Sequence, residues 1–269
     1  MSKNSEIKRF EDRFEDEVMD IVAITGPSGV GAGKAGGAVL WEASINIIAW
    51  RDLEASKQVN DEEVRLCWLV DDEELTKSRD IIRPNSIVSL KVRRGKSSMM
   101  LIGVASQSTK DEELEKILEE SMKPVFYNDE LLGQFELNKS VKIFEKEIQW
   151  AGEEGSLSFD LDEEDNMEAS LETARVLFKD QKNWDNKIRS YAAEKLLDLA
   201  NEWLQDNDEA KIDEITEEMF VNFMELESIT VYPEGKFDMF FFDGDMFWGH
   251  CIIVTGNING EFDSAEIAG

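Results

Sequence analysis

The sequence predicts an α+β protein: a small, mostly-β N-terminal domain (barrel or sandwich), followed by an antiparallel sheet with helices packed on one face. Three observations carry that prediction. Short β-branched, apolar runs separated by turn residues fill the first hundred residues. Beyond residue 126 the pattern is strands, then helices, then strands again. The charge divides along the same line. Of 59 acidic and 29 basic residues, positions 1–110 hold 18 and 16, a net of −2, while positions 111–269 hold 41 and 13, a net of −28. The predicted organisation is a mostly-β domain over 1–107, a bridging helix over 108–125 and an acidic α+β domain over 126–269.

In the first domain, DIVAIT, AVLWEASINIIAW, VRLCWLV, SIVSLKVRR and SMMLIGVAS read as strands. Val88, Leu90 and Val92 share one face of their strand, and Ser89, Lys91 and Arg93 share the other, giving a basic outer face. Between the first two strands lies Gly26–Gly37, GPSGVGAGKAGG, expected to be a flexible hairpin loop. In KDEELEKILEESMKP, Leu114, Ile117, Leu118 and Met122 recur at helical spacing and predict an amphipathic helix that bridges the two parts.

The second domain opens with three strands: GQFEL, VKIFEKEIQW and SLSFDL. The middle one alternates, with Val141 and Ile143 at one end and Trp150 at the other. Two helices are predicted over 167–180 and 184–206. In the second, Ile188, Tyr191, Ala192, Leu196, Leu199 and Trp203 recur every three or four residues. Thr216 is a good N-cap for a third helix, with Glu217 and Glu218 at the positive end of its dipole. Strands return with SITVY, a PEG turn, KFDMFFF, an Asp243–Gly244 turn and MFWGHCIIVTG. Asp-Gly and Pro-Glu-Gly between apolar runs are hairpin signals.

Composition narrows the function. Hydrophobic content of 42%, with seven Trp, fifteen Phe and four Pro, predicts folded cores despite the acidity. The opening carries no apolar stretch typical of a signal peptide, and no window suits a membrane span. Cys67 and Cys251 lie in apolar runs and read as reduced, buried thiols, so a cytoplasmic setting is expected. A field of this sign repels nucleic acid and anionic membrane and attracts basic partners.

The run from Phe126 carries a resemblance. YNDELLGQFELNKSVKIFEKEIQWAGEEGSLSFDL, WDNKIRSYAAEKLLDLANEWL, ITEEMF and LESITVYPEGKFDMFFFDGDMFWGHCIIVTGNINGEF resemble a bacterial family classed as a domain of unknown function, number 2262. The LLGQF and GDMFWGH segments are its more specific parts. Upstream, LCWLVDDEELTKSRDIIRPNSIVSLKVR is similar to the amino-terminal region of longer members. The resemblance implies a bacterial or phage origin and one common fold, and it brings no established activity. By analogy, acidic proteins of this kind occur as immunity proteins beside toxin genes.

Each candidate for chemistry has a plainer reading. A P-loop needs Gly, four residues, then Gly-Lys-Ser/Thr. Aligned on Gly33–Lys34, the chain offers Ser28 and Ala35 at two required positions, and a strand follows where a helix should, so that motif is rejected. The acidic loop Asp160–Glu168 places Asp160, Asp162 and Glu164 at alternate positions, but an EF-hand also needs glycine sixth and glutamate twelfth, where Asp165 and Leu171 stand. It reads as a solvated charge run, and no cofactor is expected. Lys91, Arg93, Arg94 and Lys96 read as a solvated strand face or as partners for the acidic half. The sole histidine, His250, is expected in a strand opposite Asp243 and Asp245. One His and two Asp can make a metal or acid–base set, but a lone strand histidine is usually structural and turn carboxylates serve backbone hydrogen bonds, so no catalytic residue is assigned.

The aromatic run Phe237, Phe240, Phe241, Phe242, Phe247, Trp248 is too dense to face one side of a sheet. Either both faces are covered or one aromatic row is exposed. The leading expectation is a non-enzymatic acidic protein that neutralises a basic protein partner, such as an immunity protein to a toxin or a phage inhibitor of a host defence nuclease. Its contact is expected at Asp238, Asp243, Asp245 and Trp248, with the acidic helices around Glu194–Glu209 as the fallback. The alternatives are a metal-assisted enzyme built on Asp243, Asp245 and His250, and a general protein-interaction module.

Overall fold

The computed structural model describes residues 2–55, 58–160, 167–207, 210 and 212–269. The chain forms two compact units, one of residues 1–123 with 139–141 and one of residues 124–138 with 142–269.

The first unit begins with α1 (Lys3–Glu11), a helix the apolar pattern did not announce. Its strands are β1 (Phe14–Thr25), β2 (Gly31–Gly33), β3 (Trp41–Asp52), β4 (Val64–Val70), β5 (Ile87–Gly95) and β6 (Ser98–Ser106), with α2 (Asp72–Ile81) between β4 and β5. The order β1-β5-β6-β4-β3 closes through a β1–β3 pairing, and β2 adds to the edge of β3. All barrel pairs are antiparallel except β4–β6. The expectation of a barrel or sandwich therefore resolves to a closed five-stranded barrel. Its strand order, single parallel pair and helix position are those of the OB fold. Ile21, Ile45, Ile47, Leu66, Val88, Leu90 and Val92 fill it.

The predicted bridging helix belongs to this unit. α3 (Glu112–Met122) starts at Asp111, whose carboxylate accepts the Glu113 and Leu114 N–H groups. Leu114, Ile117 and Leu118 pack on Val22, Ile24 and Ala49 of the barrel. Met122, read as part of the stripe, is exposed.

The second unit runs β7 (Phe126–Asp129), β8 (Gly133–Asn138), β9 (Ile143–Trp150), β10 (Glu153–Asp160), α4 (Met167–Lys179), α5 (Gln181–Gln205), α6 (Glu217–Phe223), β11 (Glu225–Val231), β12 (Lys236–Phe242), β13 (Cys251–Asn257) and β14 (Phe262–Ala268). The eight strands stand in the order β14-β13-β12-β11-β10-β9-β8-β7. Only β10–β11 is parallel. All three helices lie in that one connection, which is what a parallel pair requires. They bury Leu171, Leu177, Trp184, Ile188, Leu196 and Phe220 against one sheet face, where Phe135, Phe144, Leu157, Phe159, Phe237, Met239 and Phe241 point.

Two charged knots fasten this layer. Arg189 of α5, almost fully buried, bonds Asp185 at 3.0 Å, Glu153 of β10 at 2.7 Å and the Val221 carbonyl at 3.2 Å. Glu153 in turn accepts the Leu226 N–H, and Asp185 accepts Trp150 Nε1. At the other end, Arg175 of α4 bonds Asp129 and Glu168, while Asp129 accepts the N–H groups of Leu131 and Leu132. Burial alone would raise the Asp129 carboxyl, but Arg175 and those two N–H groups outweigh it and hold the group below its ordinary range.

Two boundaries differ from prediction. Val141 precedes β9 and is exposed, so the inward alternation is Phe144, Ile148, Trp150. The run MFWGHCIIVTG is a strand only from Cys251, because residues 243–250 form a longer loop.

Candidate binding surface

On the sheet face opposite the one against which the described helices pack, strand register places the side chains in rows. One row crosses all eight strands: Phe126, Glu136, Glu145, Ser158, Thr230, Asp238, Thr255 and Ser264. The next runs Glu147, Ser156, Ser228, Phe240, Ile253, Glu266. Beyond it, Glu225 stands opposite Phe242, which is 52% exposed. The floor is thus small hydroxyls, tied by Ser158–Thr230 and Thr255–Ser264 bonds of 3.1 Å, with Phe240 and Ile253 beside them. Glu136, Glu145 and Glu147 flank it on one side and Glu266 on the other. Among the described strand residues, the one cation that register puts on this face is Lys236, at its margin and 3.5 Å from Glu234. The aromatic run is thereby explained: Phe237 and Phe241 point into the core, while Phe240 and Phe242 point out.

Asp238 sits on this face, half-buried, and accepts Tyr232 Oη at 3.0 Å. Burial, reinforced by that carboxylate, pushes the Tyr232 phenol up to about 12. Cys251 also lies here, half-buried and free, where the sequence predicted a core thiol; Cys67 is buried. Burial and Glu227 raise the Cys251 thiol to about 11, so it stays protonated.

The other predicted site residues do not converge with Asp238. Asp243 is 3% exposed, and its two oxygens accept the N–H groups of Asp245, Phe247 and Gly249. It pins the loop, and its oxygens turn to backbone N–H groups, not outward as a contact residue's would. Gly244 beside it has φ +56°, and a Cβ there would stand 2.6 Å from the Phe223 carbonyl oxygen. Asp245 is exposed at φ +65°. Trp248 is 59% exposed at φ +58°, and its ring lies 4.7 Å from that of Trp203 in α5, on the helix side. His250 is in this loop, not in a strand; its Nδ1 is 2.5 Å from the Phe247 carbonyl oxygen, and its ring meets Trp203 edge-on. With Asp243 engaged by the backbone, the predicted metal or acid–base set has no free central carboxylate. Among the described residues no three His, Cys, Asp or Glu side chains converge as metal ligands would.

A second acidic surface follows α5, where Glu194, Asp198, Glu202 and Asp206 are exposed at four-residue spacing. Of the acidic loop read as a solvated charge run, residues 161–166 lie outside the described residues; Asp160 ends β10 and Glu168 pairs with Arg175.

The barrel offers less. OB barrels take ligands over the strands equivalent to β3 and β4, and here α1 lies there, with Phe10 and Phe14 packed on Cys67, Leu69 and Met100. Glu6 accepts the Val39 and Leu40 N–H groups at 3.0 and 3.2 Å, and Arg13 pairs with Glu42 at 2.7 Å. The glycine-rich loop contains β2 and leads into strand β3, which removes the phosphate-loop geometry. Of the basic stretch, Lys91 pairs with Asp20 of the barrel itself and Arg94 lies over Trp50. No helix of the described residues is long and apolar enough to cross a membrane.

The comparisons with known proteins follow the same division. A family model described as "Domain of unknown function (DUF7021)" matches residues 6–121, the barrel with its helices. A model described as "Uncharacterized protein conserved in bacteria (DUF2262)" matches residues 129–267, which hold strands β8 to β14 and the helical layer. No curated protein and no solved structure matches the chain. The larger match spans more than half of the sequence, and the chain belongs to the DUF2262 family of bacterial proteins.

Proposed function

We propose that this protein is a non-enzymatic acidic binding protein that neutralises a basic protein partner in the cytoplasm, as an immunity protein does a toxin or a phage inhibitor does a host nuclease. The observation that carries the reading is the open sheet face. It sets carboxylates such as Glu136, Glu145, Glu147 and Glu266 around a floor of hydroxyls, Phe240 and Ile253. Charge of one sign around an apolar centre gives a fast, steered encounter and a desolvated anchor. Asp243, buried in its own loop, leaves the enzymatic alternative without its central residue.

The test is a pulldown from the native host with the intact chain and with a Glu145→Lys/Glu147→Lys variant. One basic protein, held by the parent and not by the variant, is expected. Its capture weakens as salt rises from about 50 to about 500 mM, which shortens the Debye length from roughly 14 to roughly 4 Å. Equal capture by parent and variant, or no loss with salt, overturns the assignment of this face. Several weak partners in place of one would favour the general interaction module.

A further inference from the structure

We propose that the open sheet face receives a basic amphipathic α-helix of the partner, laid along the strands over the seam between β11 and β12. The inference rests on the acidic-capture reading and adds the shape of what is captured.

The row from Glu147 to Glu266 fixes the width. It crosses β9, β10, β11, β12, β13 and β14, five strand spacings of about 4.8 Å, or roughly 24 Å. A helix with its side chains is about 10–12 Å across. Centred on the row, it lies over Ser228 and Phe240 and leaves about 6 Å on each side, a gap that an extended Arg or Lys bridges to a carboxylate. The floor suits the same occupant. Ser156 and Ser228 are small, so bulky helix residues can settle on them, and the cross-strand pair Phe240–Ile253 gives those residues an apolar wall. A helix that is apolar below and basic on its flanks therefore meets the apolar floor, the carboxylates Glu145 and Glu147 on one side and Glu266 on the other. Strands β11, β12 and β13 are seven residues each, about 23 Å, which about 15 helical residues span. An extended basic segment would instead add to an edge, at β7 or β14, and leave this face unused.

The experiment uses the full chain and three synthetic peptides of about 15 residues. One is stapled helical with a Leu/Phe stripe and Arg on both flanks. The second has the same composition in scrambled order, and the third is oligo-arginine of equal charge. Fluorescence anisotropy at moderate salt should show the helical peptide binding at least tenfold more tightly than the other two. Glu147→Lys or Glu266→Lys should weaken it about tenfold. Ser228→Trp, which fills the seam, should abolish it, and Ser156→Arg serves as the second blocking variant if Ser228→Trp melts early. Equal binding of helical and scrambled peptides overturns the helix and leaves acidic capture standing. Binding lost in Asp198→Lys of α5 and kept in Glu147→Lys moves the site to that helix and overturns the proposal. If none of the three binds, both readings fail.

Discussion

The carboxylate of Asp243 accepts the backbone N–H of Phe247 at 2.6 Å, and the loop between β12 and β13 is organised around that bond. The same side chain holds Asp245 N at 3.1 Å and Gly249 N at 3.2 Å. One buried carboxylate therefore replaces the hydrogen bonding that a two-residue hairpin would have supplied from the ladder. Phe247, fully buried against Trp203 and Phe220, closes the loop onto the helices.

Asp243→Ala leaves those donors without an acceptor, and the loss is expected to be about 2–4 kcal/mol of stability. Asp245→Ala, two residues away and exposed, should stay within about 0.5 kcal/mol. Urea unfolding of both variants checks the contrast. Similar losses in the two would mean that the loop is held by something other than Asp243.

Trp248 occupies a left-handed backbone conformation that is unfavourable for a bulky residue. Replacing it by Gly or by Ala removes the same ring contact with Trp203, but only Gly relieves the backbone. Trp248→Gly is expected to be more stable than Trp248→Ala by about 1 kcal/mol. Thermal melts of the pair decide it, and an Ala variant equal to or above the Gly variant would show an unstrained loop.

The pH limits follow from two groups. Asp129 titrates below its ordinary range in the folded chain. Its contribution is complete above the unfolded value of about 3.9 and is lost as pH falls through the depressed one. Asp129→Asn should be less stable at neutral pH and show a flatter stability curve below about pH 4. Tyr232, raised to about 12, works at the other end. Its contribution is complete below an unfolded value of about 10 and fades as pH rises towards the folded value. Tyr232→Phe should flatten that alkaline limb, read by far-UV circular dichroism.

The elements most legible in the sequence were those with strong periodicity. The stripe Ile188, Ala192, Leu196 and the alternation Val88, Leu90, Val92 each bury one face as patterned. Less legible were α1 and α2, whose residues are mostly charged and polar, and β14, where Asp263, Ser264 and Glu266 dilute the apolar set on an edge strand. The candidate surface was half legible. Asp238, Phe240 and Phe242 alternate out of the core in a way their spacing implied. The role of Asp243 in its loop was not legible, because Asp-Gly between apolar runs is the signature of a tight hairpin, whereas its bonds to residues 245, 247 and 249 depend on the whole loop. Glu136, Glu145 and Glu266 carried no signal singly, since their assembly into a face needs the register of strands far apart in sequence.

Glu136 and Glu145 face each other directly across β8 and β9. Like charges opposite one another destabilise a sheet, and an opposite pair contributes roughly 0.2–1 kcal/mol. Glu136→Lys converts the first into the second, so the variant should be more stable than the parent by about 0.5–1 kcal/mol. It should also raise the melting temperature by a few degrees. If the face captures a basic partner, the same change removes one attractive charge and adds a repulsive one, so association slows and affinity falls severalfold. Gain of stability together with loss of binding is the expected signature of carboxylates retained for contact and not for folding. A variant that is more stable and still binds as the parent does would place the contact elsewhere, with the ladder Glu194, Asp198 and Glu202 of α5 and its C-cap Asp206 as the next surface to reverse.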